Sequence, residues 1–191
     1  MWNEGAVADI YSISMTLKFA ILFWVATAAL LLIPARYIQD VPLAGGHRLQ
    51  VVELAITTQE RAQGLQGRTS LSDSCGMAFF SLPPRPQVFW MKGTRIPLDI
   101  VFLDLEGVVL EIHTMAVEPP RGREESLRNY EHRLRQYPCQ RPVFCALEIR
   151  AGLAAELGLR VGDRVEGLSW QGLRRQHPEV LAELEKAAAR P

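Results

Sequence analysis

The sequence predicts an α+β domain: a mostly antiparallel sheet with short helices, preceded by one N-terminal hydrophobic helix. Three observations predict it. Short apolar, β-branched runs recur between residues 49 and 115, cut by proline and glycine as strands are cut by turns. Helix-start signals front only brief segments, so the helices of the domain are short. A separate fifteen-residue stretch, Phe19 to Ile33 (FAILFWVATAALLLI), holds nothing more polar than Thr27. At 191 residues the chain accommodates one ordinary domain with accessories, not two large ones.

The apolar stretch is a targeting element. As a helix it rises about 22 Å, short of the roughly 30 Å hydrocarbon core. Extension back to Ile13 gives a spanning length, at the cost of a Lys18 amine that must snorkel to the interface. Residues 1–34 are therefore expected to be either a signal peptide or a retained membrane anchor. In the first case Lys18 supplies the positive n-region and Ala35 closes the cleavage site after Ile33-Pro34. A start at Met15 gives Met-Thr-Leu-Lys before the apolar run, an ordinary signal-peptide layout. A buried core helix would show one amphipathic face, and this segment is apolar all round. The expected location is exported: anchored in the inner membrane, or periplasmic or extracellular.

Residues 35–48, with Pro42 and Gly45-Gly46, read as a linker. Leu49 to Ile56 is the first strand. Thr57-Thr58-Gln59-Glu60 forms a capping box that opens a helix ending near Gly64 or Gly67. Met77–Leu82, Val88–Met91 and Leu98–Asp104 follow as short strands separated by Pro83-Pro84, Pro86 and Pro97, and Glu106-Gly107 turns the chain into Val108–Met115. Residues 118–141 are rich in arginine and glutamate, with Leu127, Tyr130, Leu134 and Tyr137 at helical spacing. They predict an inserted amphipathic helix, helped by a Glu124–Arg128 pair. Val143–Ile149 is a strand and Ala151–Leu157 a short helix closed by Gly158. Leu159–Val165 is a turn into a strand, shaped by Gly162 and tied by the Asp163 side chain. Residues 167–191 form a helical extension that starts at Pro178 and docks through Val180, Leu181 and Leu184.

Charge and motif spacing exclude several functions. Formal net charge is zero, which removes the electrostatic footprint of a nucleic-acid binder. His47, His113, His132 and His177 are scattered, and no Cys-x-x-Cys or His-x-x-x-His spacing predicts a metal. Gly64-x-x-Gly67 lacks the lysine of a phosphate loop, Ser70 lacks a nucleophile elbow, and no cofactor is called for. The odd cysteine count argues against a disulfide framework; Cys139 and Cys145 can still pair across a short loop, and Cys75 stands alone.

One block is specific. Arg61-x-x-Gly64-Leu65-x-x-Arg68-x-Ser70-Leu71, Gly76-Met77, and Phe89-Trp90-Met91-Lys92-x-Thr94-x-Ile96-Pro97-Leu98-Asp99-Ile100-x-Phe102 resemble the uncharacterised family called domain of unknown function 192. The resemblance spans residues 49–166 and ends on Leu157-Gly158 to Gly162-Asp163. It implies a curled, barrel-like sheet and an envelope setting, since members often carry a signal peptide or anchor; it implies no activity. Gln66 stands where the family usually has methionine, Gly93 where it usually has asparagine, and the 118–141 insertion is longer than usual.

The candidate site is Arg61, Arg68, Trp90, Lys92, Thr94 and Asp99. Trp90 and Lys92 alternate in an extended strand and share a face, so an aromatic plate and an amine can hold a sugar or an anionic group, with arginine as a bidentate partner. Asp99 can orient Lys92 or act as a base. The plainer alternative makes Trp90 core, Lys92–Asp99 an ion pair and the arginines loop braces. The leading expectation is an accessory module binding a small polar ligand or an envelope protein. The alternative is a hydrolase or lyase of envelope carbohydrate using Asp99 and Lys92.

Overall fold

The computed structural model describes residues 36–43 and 46–189. The targeting segment and the expected N-terminal helix lie outside them. Among the described residues no helix is long and apolar enough to cross a membrane.

The chain runs through β1 (Tyr37–Pro42), β2 (Arg48–Ala55), α1 (Thr58–Gln63), β3 (Cys75–Phe89), β4 (Leu98–Leu103), β5 (Val109–Met115), α2 (Leu127–Arg133), β6 (Tyr137–Arg150), α3 (Leu153–Glu156), a 3₁₀ turn (Glu166–Leu168), α4 (Trp170–Gln176) and α5 (Pro178–Ala188). The strands make one six-stranded sheet in the order β1-β2-β3-β6-β4-β5. Every neighbouring pair is antiparallel except β2–β3, which is parallel and joined by the crossover through α1. The sheet is mixed with short helices, as expected, but it is open. β1 and β5 are its two edges, so the barrel-like closure is not made.

Both faces of the sheet are apolar. On one, Phe80, Val101, Phe144 and Leu147 pack under α3, α4 and α5 through Leu153, Leu173, Val180, Leu181 and Leu184. On the other, Phe79, Leu98, Ile100, Phe102 and Ala146 gather Leu65, Met91, Met115 and Tyr137. Double-sided burial explains why the central strands read as continuous apolar runs rather than as alternation.

Several elements differ from the sequence expectation. The segment 35–48 contains edge strand β1 (Val41 opposite Leu49) rather than linker alone. Ile38 and Val41 are both buried because Asp40, at φ 58°, turns the strand between them and breaks the period of two. β3 is one fifteen-residue strand through Pro83, Pro84 and Pro86, not two short ones. The prolines sit where the β3–β6 register is irregular, between Phe80 and Gln87, so few ladder donors are lost.

The helix expected over 118–141 occupies only Leu127–Arg133. Ser126 caps it, and Tyr137 onward extends β6. Glu124 therefore precedes the helix, and Arg133 pairs with Glu125 instead. Residues 159–165 form a turn with a single bridge, Val108 to Arg164, rather than a strand.

Cys139 and Cys145 lie on the same strand and belong to opposite core clusters. An extended strand holds such positions about 20 Å apart, far beyond disulfide reach, and all three cysteines are free. The capping box is present: Thr57 Oγ1 accepts from Glu60 N at 3.2 Å and Glu60 accepts from Thr57 N at 2.8 Å.

Candidate functional site: a cavity floored by a buried carboxyl

A cavity of about 300 Å³ opens between α1, β3 and the loop after β3. Four of the six expected site residues line it: Arg61, Trp90, Lys92 and Thr94. Trp90 and Lys92 lie beyond the end of β3, in the loop, yet the alternation survives. Met91 between them is buried in the core, Trp90 is 42% exposed, and the Lys92 amine stands 6.0 Å from the centre of the Trp90 ring. The loop is held from α2: Tyr130 Oη accepts from Gly93 N at 3.2 Å, and the Lys92 amine pairs with Glu131. A Cβ built on Gly93, whose φ is 66°, would meet Gln66 Oε1 at 3.0 Å.

Arg61 enters from α1, and its Nη1 donates to Phe80 O at 3.0 Å. Burial, with the neighbouring charge of Arg85, pulls its pKa below the usual arginine value. Arg68 stands apart from the cavity, in a bidentate pair with Glu53 that ties the loop after α1 to β2.

Asp99 is not the partner of Lys92. In β4 the even-numbered side chains (Leu98, Ile100, Phe102) face one core cluster and Val101 and Leu103 face the other. Asp99 alternates with Leu98 and Ile100, so it points away from them. Its Oδ1 accepts from Thr114 Oγ1 at 2.7 Å and its Oδ2 from Ala154 N at 3.0 Å. Gly152, at the N-terminus of α3, has no side chain to cap that helix, so Asp99 satisfies an amide of its first turn from across the fold. Both of its oxygens are thus engaged within the fold. The turn at Gly162, φ 94°, is tied by Asp163 Oδ2, which accepts from Arg160 N at 2.8 Å.

The residue that sequence reasoning missed is Glu148. It lies on β6 opposite Met77 and Ile100, 5% exposed, and lines the floor of the cavity. Among the described residues nothing donates a hydrogen bond to its carboxyl, and no fully enclosed side-chain oxygen lacks a partner, so its oxygens open to the solvent of the cavity. Burial alone raises its pKa to about 8, so at neutral pH it is largely a carboxylic acid, one donor and one acceptor, facing the void. The signal was a lone carboxylate in an apolar strand, Ala146-Leu147-Glu148-Ile149. Gln66 and Gln87 complete the polar lining. Among the described residues no cluster of metal-ligating side chains exists.

The family model DUF192, described as "Uncharacterized ACR", matches residues 41–167. A crystal structure of a protein of unknown function from Novosphingobium aromaticivorans is similar at 36% identity, with a TM-score of 0.56, over 70% of this chain and 86% of that one. A protein from Sinorhizobium meliloti, described as a candidate transcription regulator, is similar at 32% identity and a TM-score of 0.52, over 65% of this chain and 88% of that one. No curated protein matches.

Proposed function

The chain belongs to the DUF192 family, whose description names no activity; from the site itself we propose that the domain is a binding module for a small polar ligand. One observation carries the reading: a buried carboxyl without a protein hydrogen bond, opening into a cavity rimmed by an aromatic plate and two cations. The carboxyl is solvated only through the cavity, and a ligand that replaces that water with direct hydrogen bonds gains roughly 0.5–1.5 kcal/mol for each. A hydroxyl or amide fits the protonated Glu148. A flat apolar face fits Trp90, and an anionic group fits Arg61 or Lys92.

The alternative, a carbohydrate hydrolase or lyase, draws no support from Asp99, because both of its oxygens are engaged on the face of the sheet away from the cavity. The cavity lining holds one carboxyl group, Glu148, not the pair that glycoside hydrolysis uses. The description of the Sinorhizobium protein is not carried over, since a chain of zero net charge offers no basic footprint for DNA.

A second reading has its own observation. Trp90 and Leu127, 42% and 51% exposed, border a shallow groove with Arg128 and Glu131, which suits an envelope protein partner. In both readings Phe19 to Ile33 directs the domain out of the cytoplasm, and a reporter enzyme active only after export, fused at the C-terminus, checks that placement.

The test is a thermal-shift and native mass spectrometry screen of the full-length chain against sugars, polyols, hydroxy acids and amino acids. The expected result is a stabilising ligand whose affinity falls at least tenfold in Trp90→Ala and in Lys92→Ala. Both variants should stay folded, since Trp90 is 42% exposed and a partly exposed ion pair at Lys92 contributes at most about 1 kcal/mol. Ligands that bind Trp90→Ala and Glu148→Gln as tightly as the parent would refute the cavity as the site.

A further inference from the structure

A second cavity, about 420 Å³, lies on the other side of Arg61, between the start of α1, the irregular stretch of β3 and the end of α5. Arg61 and Phe80 line both cavities; Arg85, Ser81 and Pro83 line only the second. We propose that this second cavity is an oxyanion site for a phosphate group, free or as a phosphomonoester, held between the guanidinium groups of Arg61 and Arg85.

The argument starts from charge. Several arginines of this domain are neutralised by a neighbouring carboxylate: Arg68 by Glu53, Arg133 by Glu125, Arg150 by Asp73 and Glu156. Arg61 and Arg85 are not. Among the described residues neither has a carboxylate within ion-pair distance, and they are close enough that the charge of Arg85 disfavours the charged form of Arg61. Like charges left side by side against a concavity cost energy that a bound dianion would return.

The pair is also positioned by neutral groups, which leaves its charge uncancelled. Arg61 Nη1 is fixed by the carbonyl of Phe80 at 3.0 Å. Arg85 Nε donates to Ser81 Oγ at 3.1 Å, and Gln87 Nε2 donates to the same oxygen at 3.0 Å. Ser81 thus accepts twice, and its own proton has only a 3.5 Å contact to Pro83 O. Among the described residues no acceptor occupies the outer nitrogens of Arg85 or Arg61 Nη2, which leaves them for a ligand. Glu60, the chain neighbour of Arg61, is already taken by the amides of Ile56 and Thr57 and by Arg36 at 3.6 Å. Two forked cations with neighbouring hydroxyls from Ser81 and Thr58 offer more donors than a planar carboxylate uses and suit a tetrahedral dianion.

This inference does not rest on the Glu148 cavity, because Arg85 lines only the second one. The experiment is calorimetric titration of the full-length chain with inorganic phosphate and with glycerol 3-phosphate, against chloride at matched ionic strength. Saturable binding of phosphate with no saturable response to chloride is expected. Arg85→Gln should lose at least tenfold in affinity while Trp90→Ala loses none. Glycerol 3-phosphate binding much more tightly than phosphate would assign the source as a phosphomonoester, and equal binding would assign the free ion. Absence of saturable binding to the parent chain, or full affinity retained by a folded Arg85→Gln, overturns the proposal. Arg85→Lys checks the fork: an affinity between those of the parent and Arg85→Gln is expected, and affinity equal to the parent would refute bidentate recognition.

Discussion

Replacing Glu148 by glutamine keeps the shape of the side chain and removes its titration. The buried carboxyl is held near pKa 8, whereas an unfolded chain titrates it at the ordinary value of 4.5. Between those two values the native protein carries one proton more than the unfolded chain. Stability therefore falls as pH rises through this window, and the loss is complete only above the folded pKa. The window is about 3.5 pH units wide, and at about 1.4 kcal/mol per unit the ceiling on the loss is on the order of 5 kcal/mol. Water entering the cavity beside Arg61 and Lys92 solvates the carboxylate, so roughly 2–4 kcal/mol is the effect to expect. That is a large share of a domain stability of about 5–15 kcal/mol.

Glu148→Gln is neutral in both states and escapes the loss. Urea unfolding of the parent and the variant at intervals from pH 5 to 9 would show nearly equal stability at the acid end. A gap in favour of the variant should then open toward pH 8. Glu60, Glu125 and Glu156 have lowered pKa values, so their contributions are present above the ordinary carboxylate range and are lost below it, outside this window. Other titrations are common to both proteins and cancel in the difference. Parallel curves, separated by less than about 0.5 kcal/mol at every pH, would refute the assignment of Glu148 as a buried acid.

Asp99→Ala should destabilise the domain by about 1–3 kcal/mol, since it strands the amide of Ala154 and the hydroxyl of Thr114. Ligand binding at the Glu148 cavity should persist in the surviving fold, and calorimetry on the folded fraction reads it. Gly162→Val should lower the melting temperature by an amount equivalent to roughly 1–2 kcal/mol. No atom crowds the position, so the whole cost is the φ of 94°, and an unchanged melting temperature would show that the turn relaxes freely.

How much of this was legible in the sequence depends on the range of the interaction involved. The capping box at Thr57–Glu60 and the docking stripe Val180, Leu181, Leu184 follow from spacing within one turn or two, and both are present. Strand existence was legible for β2, β4 and β5 because each is a local apolar run. Strand extent was not. The prolines of β3 looked like boundaries, but an irregular register on β6 lets the strand continue past them. The site divided in the same way. Arg61, Trp90, Lys92 and Thr94 do share a cavity, yet the partner of each depends on topology. Lys92 meets Glu131 from a helix 39 positions away, and Asp99 meets the start of α3 across 55. Glu148 escaped notice because its strand was read as core and its carboxyl as an incidental charge, while only the curl of neighbouring elements shows the void in front of it.

The space left between Gln66 and Gly93 bears on how this site can change. A Cβ built at residue 93 would come within 3.0 Å of Oε1 of Gln66, which lines the cavity. A side chain introduced at residue 93 needs the end of Gln66 to withdraw, and Gln66 is itself tethered to Ala62 O at 2.5 Å. Substitutions at the two positions are therefore not independent. Introducing asparagine at 93 in the present background should cost more than introducing it beside a methionine at 66, and a double-mutant cycle would show that non-additivity. Residues 66 and 93 thus form one unit of change: what either tolerates depends on what stands at the other.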